Sequence, residues 1–182
     1  MSASFERAYL ISMADYNRWM NEKIYGAAAK LTMEQFAAPR GAYFDSLAGT
    51  LNHLVLADTI WLQRFAAHPI RYDTLDPVRA LPAPTSLAQD QAPPIGLLLE
   101  QRNMLDAVIS NWVGELRDEH LDQTLHYTRI NGDSHAKRLG SVLVHFFNHQ
   151  THHRGQASTL LFQAGLDIGP TDLLLLTPEV AP

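Results

Sequence analysis

LGSVLVHFFNHQTHHRGQASTLLFQA, residues 139–164, combines a helical period with a concentration of imidazoles. Turned about 100° per residue, Leu139, Leu143, Phe146, Ala157, Leu160, Leu161 and Ala164 fall on one side. The stretch reads as an amphipathic helix, with Gly165 placed as the residue just past its C-cap. Four of the nine histidines lie within nine of its residues. His153 falls inside the apolar arc and His149 at its edge, while His145 and His152 point further round, toward polar surroundings. Gly155 inside a helix costs about 1 kcal/mol relative to Ala, so a close approach by another helix is expected there.

Three more helical stretches precede it. Phe5, Tyr9, Ser12, Met13, Tyr16, Met20 and Ile24 recur at three- and four-residue spacing up to about Ala29. Asp45 or Ser46 can cap a second helix through Leu47, Leu51, Leu54, Asp58, Trp61, Leu62 and Phe65, which stops before Pro69. A third runs from about Ile95 to Leu116, with Leu98, Leu99, Arg102, Leu105, Val108, Ile109 and Trp112 along one side. Six of the ten prolines lie between Pro69 and Pro94, a composition that supports neither a helix nor a central strand, so a long surface connection is expected there. Thr124 to Ile130 has β-character and Asn131-Gly132 signals a two-residue hairpin turn. The apolar run Leu173 to Leu176 is expected to pack back on the helices. The prediction is an all-α four-helix bundle with a long crossover and a small hairpin insertion, forming a single domain over residues 1–182. Tyr16, Trp19 and Trp61 are read as core.

Composition narrows the function classes. With 46% hydrophobic and 18% charged residues, the chain is expected to be soluble and globular, and no apolar run approaches the roughly 20 residues that span a bilayer. Fourteen Lys and Arg against nineteen Asp and Glu give a net charge of −5 with no basic run, which argues against nucleic-acid binding. Met1 to Tyr16 mixes charges into its apolar positions, unlike a signal peptide, so a cytoplasmic location is expected. There are no cysteines, which removes disulfides, thiolate-held metals and a cysteine nucleophile. Any metal must be held by His, Asp or Glu.

Residues four apart on a helix lie one turn above one another, so two imidazoles so spaced can converge on a cation. His145 with His149, and His149 with His153, both qualify, and the apolar arc favours the second pair. The competing reading is a histidine-rich solvated face. A two-histidine site normally needs a third protein ligand. The candidates are His53 and Asp58 on the second helix and His126 or His135 near the hairpin. Asp58 either holds a ligand histidine through its second ring nitrogen or pairs with Tyr16, Asn17 or Arg154, and the structural reading is preferred. Neither a Ser-His-Asp ordering nor a phosphate-cradling glycine loop is present.

Asp15-Tyr-Asn-Arg-Trp-Met-Asn21, Ser46-Leu-Ala-Gly-Thr-Leu-Asn-His53 with Ala57-Asp-Thr-Ile-Trp61, and Asn148-His-Gln-Thr-His-His-Arg-Gly-Gln156 together resemble the DinB/YfiT-like family, in the same order and over nearly the whole chain. The resemblance implies an up-down-down-up bundle, commonly a homodimer. It also implies a divalent metal held by His53, His149 and His153, with His152 not implied as a ligand. Imidazoles suit zinc or nickel, and also iron or copper. Relatives include transferases that use a low-molecular-weight thiol. The expected function is therefore a metal-dependent thiol transferase or a hydrolase acting on a small-molecule electrophile. The alternative is a non-catalytic metal-binding stress-response protein working through its dimer surface.

Overall fold

The computed structural model describes residues 4–87 and 93–180. The described residues are mostly helical, with one small two-stranded sheet. Four long helices dominate: α1 (Phe5–Ala28), α3 (Leu47–Ala66), α5 (Ile95–Glu115) and α7 (Leu139–Gln163). Three short ones, α2 (Met33–Ala37), α4 (Asp76–Arg79) and α6 (Asp118–Leu121), sit in the connections. No described helix is long and apolar enough to cross a membrane. The ends obey local chemistry. Ser4 and Ser46, not Asp45, cap α1 and α3 through their hydroxyls. Asp45 instead adopts φ 65°, a left-handed turn that Asp tolerates better than most residues. At the other end of α7, Gly165 at φ 84° lets its own N–H reach the Phe162 carbonyl and the Leu166 N–H reach the Leu161 carbonyl, closing the helix with a Schellman motif.

Helices α1 and α3 each pack against both α5 and α7. The apolar stripes meet in one core around Trp112, Phe65 and Phe146, with Phe65 stacked on Trp112 at 4.7 Å and edge-on to Phe146 at 5.7 Å. Within this core runs a polar chain touching all four long helices. Asp58 of α3 accepts from Arg102 of α5 at 2.5 Å and from Gln150 of α7 at 2.8 Å. Arg102 also lies 3.0 Å from Asp106, which accepts from Asn17 and Asn21 of α1 at 3.0 and 2.9 Å. Arg154 of α7 donates to Asn17. Asp58 therefore has a structural role, as preferred from the sequence, but its partners are Arg102 and Gln150. Burial opposes the Arg102 charge, yet the flanking carboxylates hold its pKa above the ordinary guanidinium value. For Arg154 burial wins and lowers the value to about 10, which still leaves it charged at neutral pH.

Several sequence expectations change. The proline-rich connection is not wholly a surface segment. It contains a 3-10 turn, Asp73–Leu75, and α4, and it buries Tyr72, Leu75 and Val78 in the core. Its three apolar anchors outweigh the proline content locally, and Pro77 is tolerated in the first turn of α4 because its missing N–H would be unpaired there. The hairpin pairs β1 (Thr124–Thr128) with β2 (Ser134–Arg138), Thr128 opposite Ser134. Its loop spans Ile130, Asn131 and Gly132, closed by the Gly132 N–H on the Arg129 carbonyl with Gly132 at φ 93°. This is a three-residue turn with a glycine bulge in place of the two-residue turn expected.

Gly155 is exposed and nothing lies within 4 Å of where its Cβ would be. The close approach falls instead at Gly49, where a Cβ would collide with the Phe44 carbonyl oxygen. Tyr16, Trp19 and Trp61 are only partly buried, packed against the rim of the core. In the tail, Leu173 packs against the core, but Leu174 and Leu175 stay 78% and 60% exposed.

Removing one partner from a buried ion network leaves the others desolvated and uncompensated. Asp58→Ala is therefore expected to lower unfolding free energy by about 3–5 kcal/mol. An Asp58→Leu, Arg102→Met pair should lose less than the sum of the two single changes, because the second removes the charge stranded by the first. Urea unfolding reads both. A loss below about 1 kcal/mol for Asp58→Ala would mean the network contributes little.

Candidate metal centre

Three imidazoles meet between α3 and α7. His53 Nε2 lies 3.3 Å from His149 Nε2, and His153 Nε2 lies 3.1 Å from the same atom. These ring nitrogens form the one cluster of three or more metal-ligating side chains found among the described residues. The helical repeat stacks His149 and His153 on one face of α7, while His53 comes from the opposing helix. Asp58 and Gln150 bond across the same two helices, close along the chain to His53 and His149, and this holds the two faces in register.

The second ring nitrogens are engaged. His53 Nδ1 is 3.0 Å from the Leu87 carbonyl oxygen, which can only accept, so Nδ1 carries the proton and Nε2 presents a lone pair. His153 Nδ1 donates likewise to Gln156 Oε1 at 2.7 Å. Metal-binding histidines are commonly oriented in this way. Both unprotonated Nε2 atoms face His149 Nε2 across 3.1–3.3 Å, so three ring nitrogens meet at one place. Nitrogens bonded tetrahedrally to zinc at about 2.0–2.1 Å would stand about 3.3 Å apart, so the donor set and spacing fit a divalent cation.

The surroundings favour neutral rings. Burial lowers the pKa of His53 and His153 below the ordinary imidazole value. His149 is pushed down to about 3, first by burial and then by His153 and His53 beside it. Phe44 stacks on His53 at 4.0 Å and stands edge-on to His153 at 5.5 Å, closing one side. His53 is 5% and His153 9% exposed, whereas His149 is half-buried and borders a cavity of about 410 Å³. Trp61, Ile60, Leu87, Ile130 and His145 line that cavity.

The other sequence candidates lie elsewhere. His152 is exposed, edge-on to His153 at 4.9 Å. His145 sits against Trp61 at 5.5 Å on the cavity wall. His135 stacks on Tyr127 and His126 is exposed on β1; neither joins the cluster. Three contributors had no reading in the sequence: Phe44, the Leu87 carbonyl and Gln156. Only Gln156 carried a signal, standing three residues from His153 on the same helical face.

A family model described as the DinB family matches residues 1–179. The chain is similar to Protein DinB of Bacillus subtilis (strain 168), with 25% identity over 165 residues, covering 90% of this chain and 91% of that protein.

His53→Ala, His149→Ala and His153→Ala should each strip the metal as read by elemental analysis of protein purified without a nickel column, while His152→Ala keeps most of it. Gln156→Ala should weaken affinity by about 10–100-fold through loss of the orienting bond. Equal metal loss from His152→Ala would contradict the geometry.

The acid response follows from the depressed values. In the unfolded chain these histidines take protons near their ordinary pKa of about 6.5, before the folded rings do, so the unfolded state binds more protons below that pH. Stability of the metal-free protein should thus fall as pH drops from about 6.5 toward 3, carried mainly by His149. Three exposed imidazoles would give up a metal between about pH 7 and 5; the folded rings here compete less well for protons, so metal should be retained at about pH 6 and lost only in more acid solution. Melting temperature and metal occupancy across that range test both, and a metal-free melting temperature that stays level from about pH 6.5 to 4 would refute the first.

Proposed function

The chain belongs to the DinB family, and we propose that within it this protein is a divalent-metal-dependent enzyme, with zinc or nickel as its metal, both compatible with imidazole ligands as are iron and copper. In this reading it transfers a low-molecular-weight thiol, or water, onto a small electrophile. The long helices are read as the up-down-down-up bundle and the assembly as a homodimer, a pairing supported by exposed Phe5, Tyr9 and Val144 around one groove.

The observation that carries the reading is the apolar cavity against His149, the most open of the three histidines. Three protein ligands leave room for an exogenous one, and a cavity on that side suits a reactant, whereas a site sealed by side chains would suit the non-catalytic alternative. A cation held there would act as a Lewis acid that lowers the pKa of a thiol or water. His53 and His153, held by Leu87 and Gln156, fix the direction of the ligand lone pairs. Phe44 excludes water from one side. Trp61 and Ile60 provide an apolar surface for the electrophile. His145 has its pKa lowered by burial, so it is neutral at pH 7 and is the basic group on the cavity wall suited to accept a proton from the nucleophile. With no cysteine in the chain, the sulfur must come from a cosubstrate.

Zinc-loaded protein should accelerate conjugation of a small thiol with a halonitroarene, or hydrolysis of a nitrophenyl ester. His53→Ala should abolish the activity, and His145→Gln should lower it by about 100-fold or more while retaining the metal. A metal-replete protein that turns over neither class of substrate would sink the enzymatic reading and leave the metal centre standing.

A further inference from the structure

Two cations border the cavity against His149 and have no part in holding the histidines. Arg64, near the end of α3, lies over the Trp61 ring at 4.6 Å and the Tyr127 ring at 5.0 Å, and its Nη2 donates to the Thr128 carbonyl at 3.2 Å. These contacts lock the guanidinium plane into the wall. Arg129 follows directly after β1 and lines the same cavity. Neither arginine forms an ion pair with any carboxylate among the described residues, although Arg71, Arg79, Arg102, Arg117 and Arg138 all do. Burial lowers the Arg64 pKa, and the like charge of Arg129 lowers it further, so the two sense one another. Two guanidiniums lining one cavity, with no carboxylate paired to either among the described residues, create a local positive potential in a chain whose net charge is −5.

We propose that Arg64 and Arg129 form the anion-binding end of this cavity, taking the carboxylate of a small organic reactant whose apolar body lies on Trp61 and Ile60. The proposal rests on the reading of the cavity as the substrate site. Carboxylate is favoured by the residues that remain. Arg64 already commits one N–H to Thr128, which leaves a fork suited to a planar monoanion. The cavity-lining residues of α3 and α7 lie beyond the first turn of either helix, so the amide-rich helix start that favours a phosphate dianion is missing. A volume of about 410 Å³ accommodates a reactant of modest size.

Trp61 stands in the cavity wall, so tryptophan fluorescence can follow binding. The probes are phenylbutyrate and phenylbutanol, matched in shape and differing in charge, titrated at neutral pH into zinc-loaded protein and into protein stripped with a chelator. The stripped protein excludes direct capture of the carboxylate by zinc. In both forms the acid should bind at least about tenfold tighter than the alcohol, and the preference should shrink as salt rises. Arg129→Gln should weaken phenylbutyrate alone, and the double variant Arg64→Gln, Arg129→Gln should bind acid and alcohol equally. Equal affinity for the two probes in the unaltered protein overturns the proposal. So does a preference that survives in the double variant, or an equal weakening of both probes by Arg129→Gln. Zinc content measured on the same samples separates the two readings. Bound zinc without acid preference removes the anion site alone, whereas acid preference without zinc binding removes the metal reading alone.

Discussion

A carboxylate placed inside a helical core must be neutralised and hydrogen-bonded, because leaving it uncompensated costs several kcal/mol. Asp58 meets that demand with Arg102 and Gln150, and Arg102 passes the requirement on to Asp106, Asn17 and Asn21. The consequence is directional. Apolar burial is non-directional, whereas short charge-assisted bonds fix both distance and angle. Gln150 can reach Asp58 only if α3 and α7 keep one axial alignment. His53 lies five residues from Asp58, and His149 lies beside Gln150, so that alignment also decides whether the imidazoles meet.

The histidine cluster is graded in its access to solvent. His53 and His153 are buried, oriented by a carbonyl and an amide, and roofed by Phe44, while His149 faces the cavity. Fixed imidazoles on the closed side and an accessible one on the other would let the geometry of a bound cation persist while a reactant enters. Gly49 belongs to the same design. A side chain there would displace the Phe44 backbone, and with it the ring that stacks on His53. The small residue on α3 is thus tied to the roof of the site, whereas Gly155, beside His153 in sequence, faces open space.

The cavity joins elements that are far apart in the chain: the end of α3, the hairpin turn and the middle of α7. The hairpin's glycine bulge sets where Arg129 and Ile130 emerge, and Arg64 bridges to the hairpin by its bond to Thr128. An appended two-stranded element therefore shapes the wall facing the histidine cluster, even though the helices form the core.

The sequence by itself determined the four long helices and the glycine that closes α7, because these depend on a 3.6-residue period and on residues within a few positions of an end, while the choice of Ser46 over Asp45 at the start of α3 waited for the structure. Turn chemistry located the hairpin, though its length depended on how Gly132 closed the ladder. The same periodicity placed His149 and His153 on one face of α7 and set His152 apart. His53, however, was one of several possible third partners, and only the resemblance distinguished it, since no spacing rule relates residues 96 positions apart. The tertiary structure alone decided that His53 faces the pair, that Leu87 and Gln156 engage the far ring nitrogens, and that Phe44 covers them. It also decided that Asp58 bonds Arg102 and Gln150, and that Tyr72, Leu75 and Val78 of a proline-rich stretch enter the core. Helical periodicity is local and leaves a signature in the chain, whereas which faces meet, and at what axial offset, is set by packing and buried charge pairing that appear only when the helices are assembled.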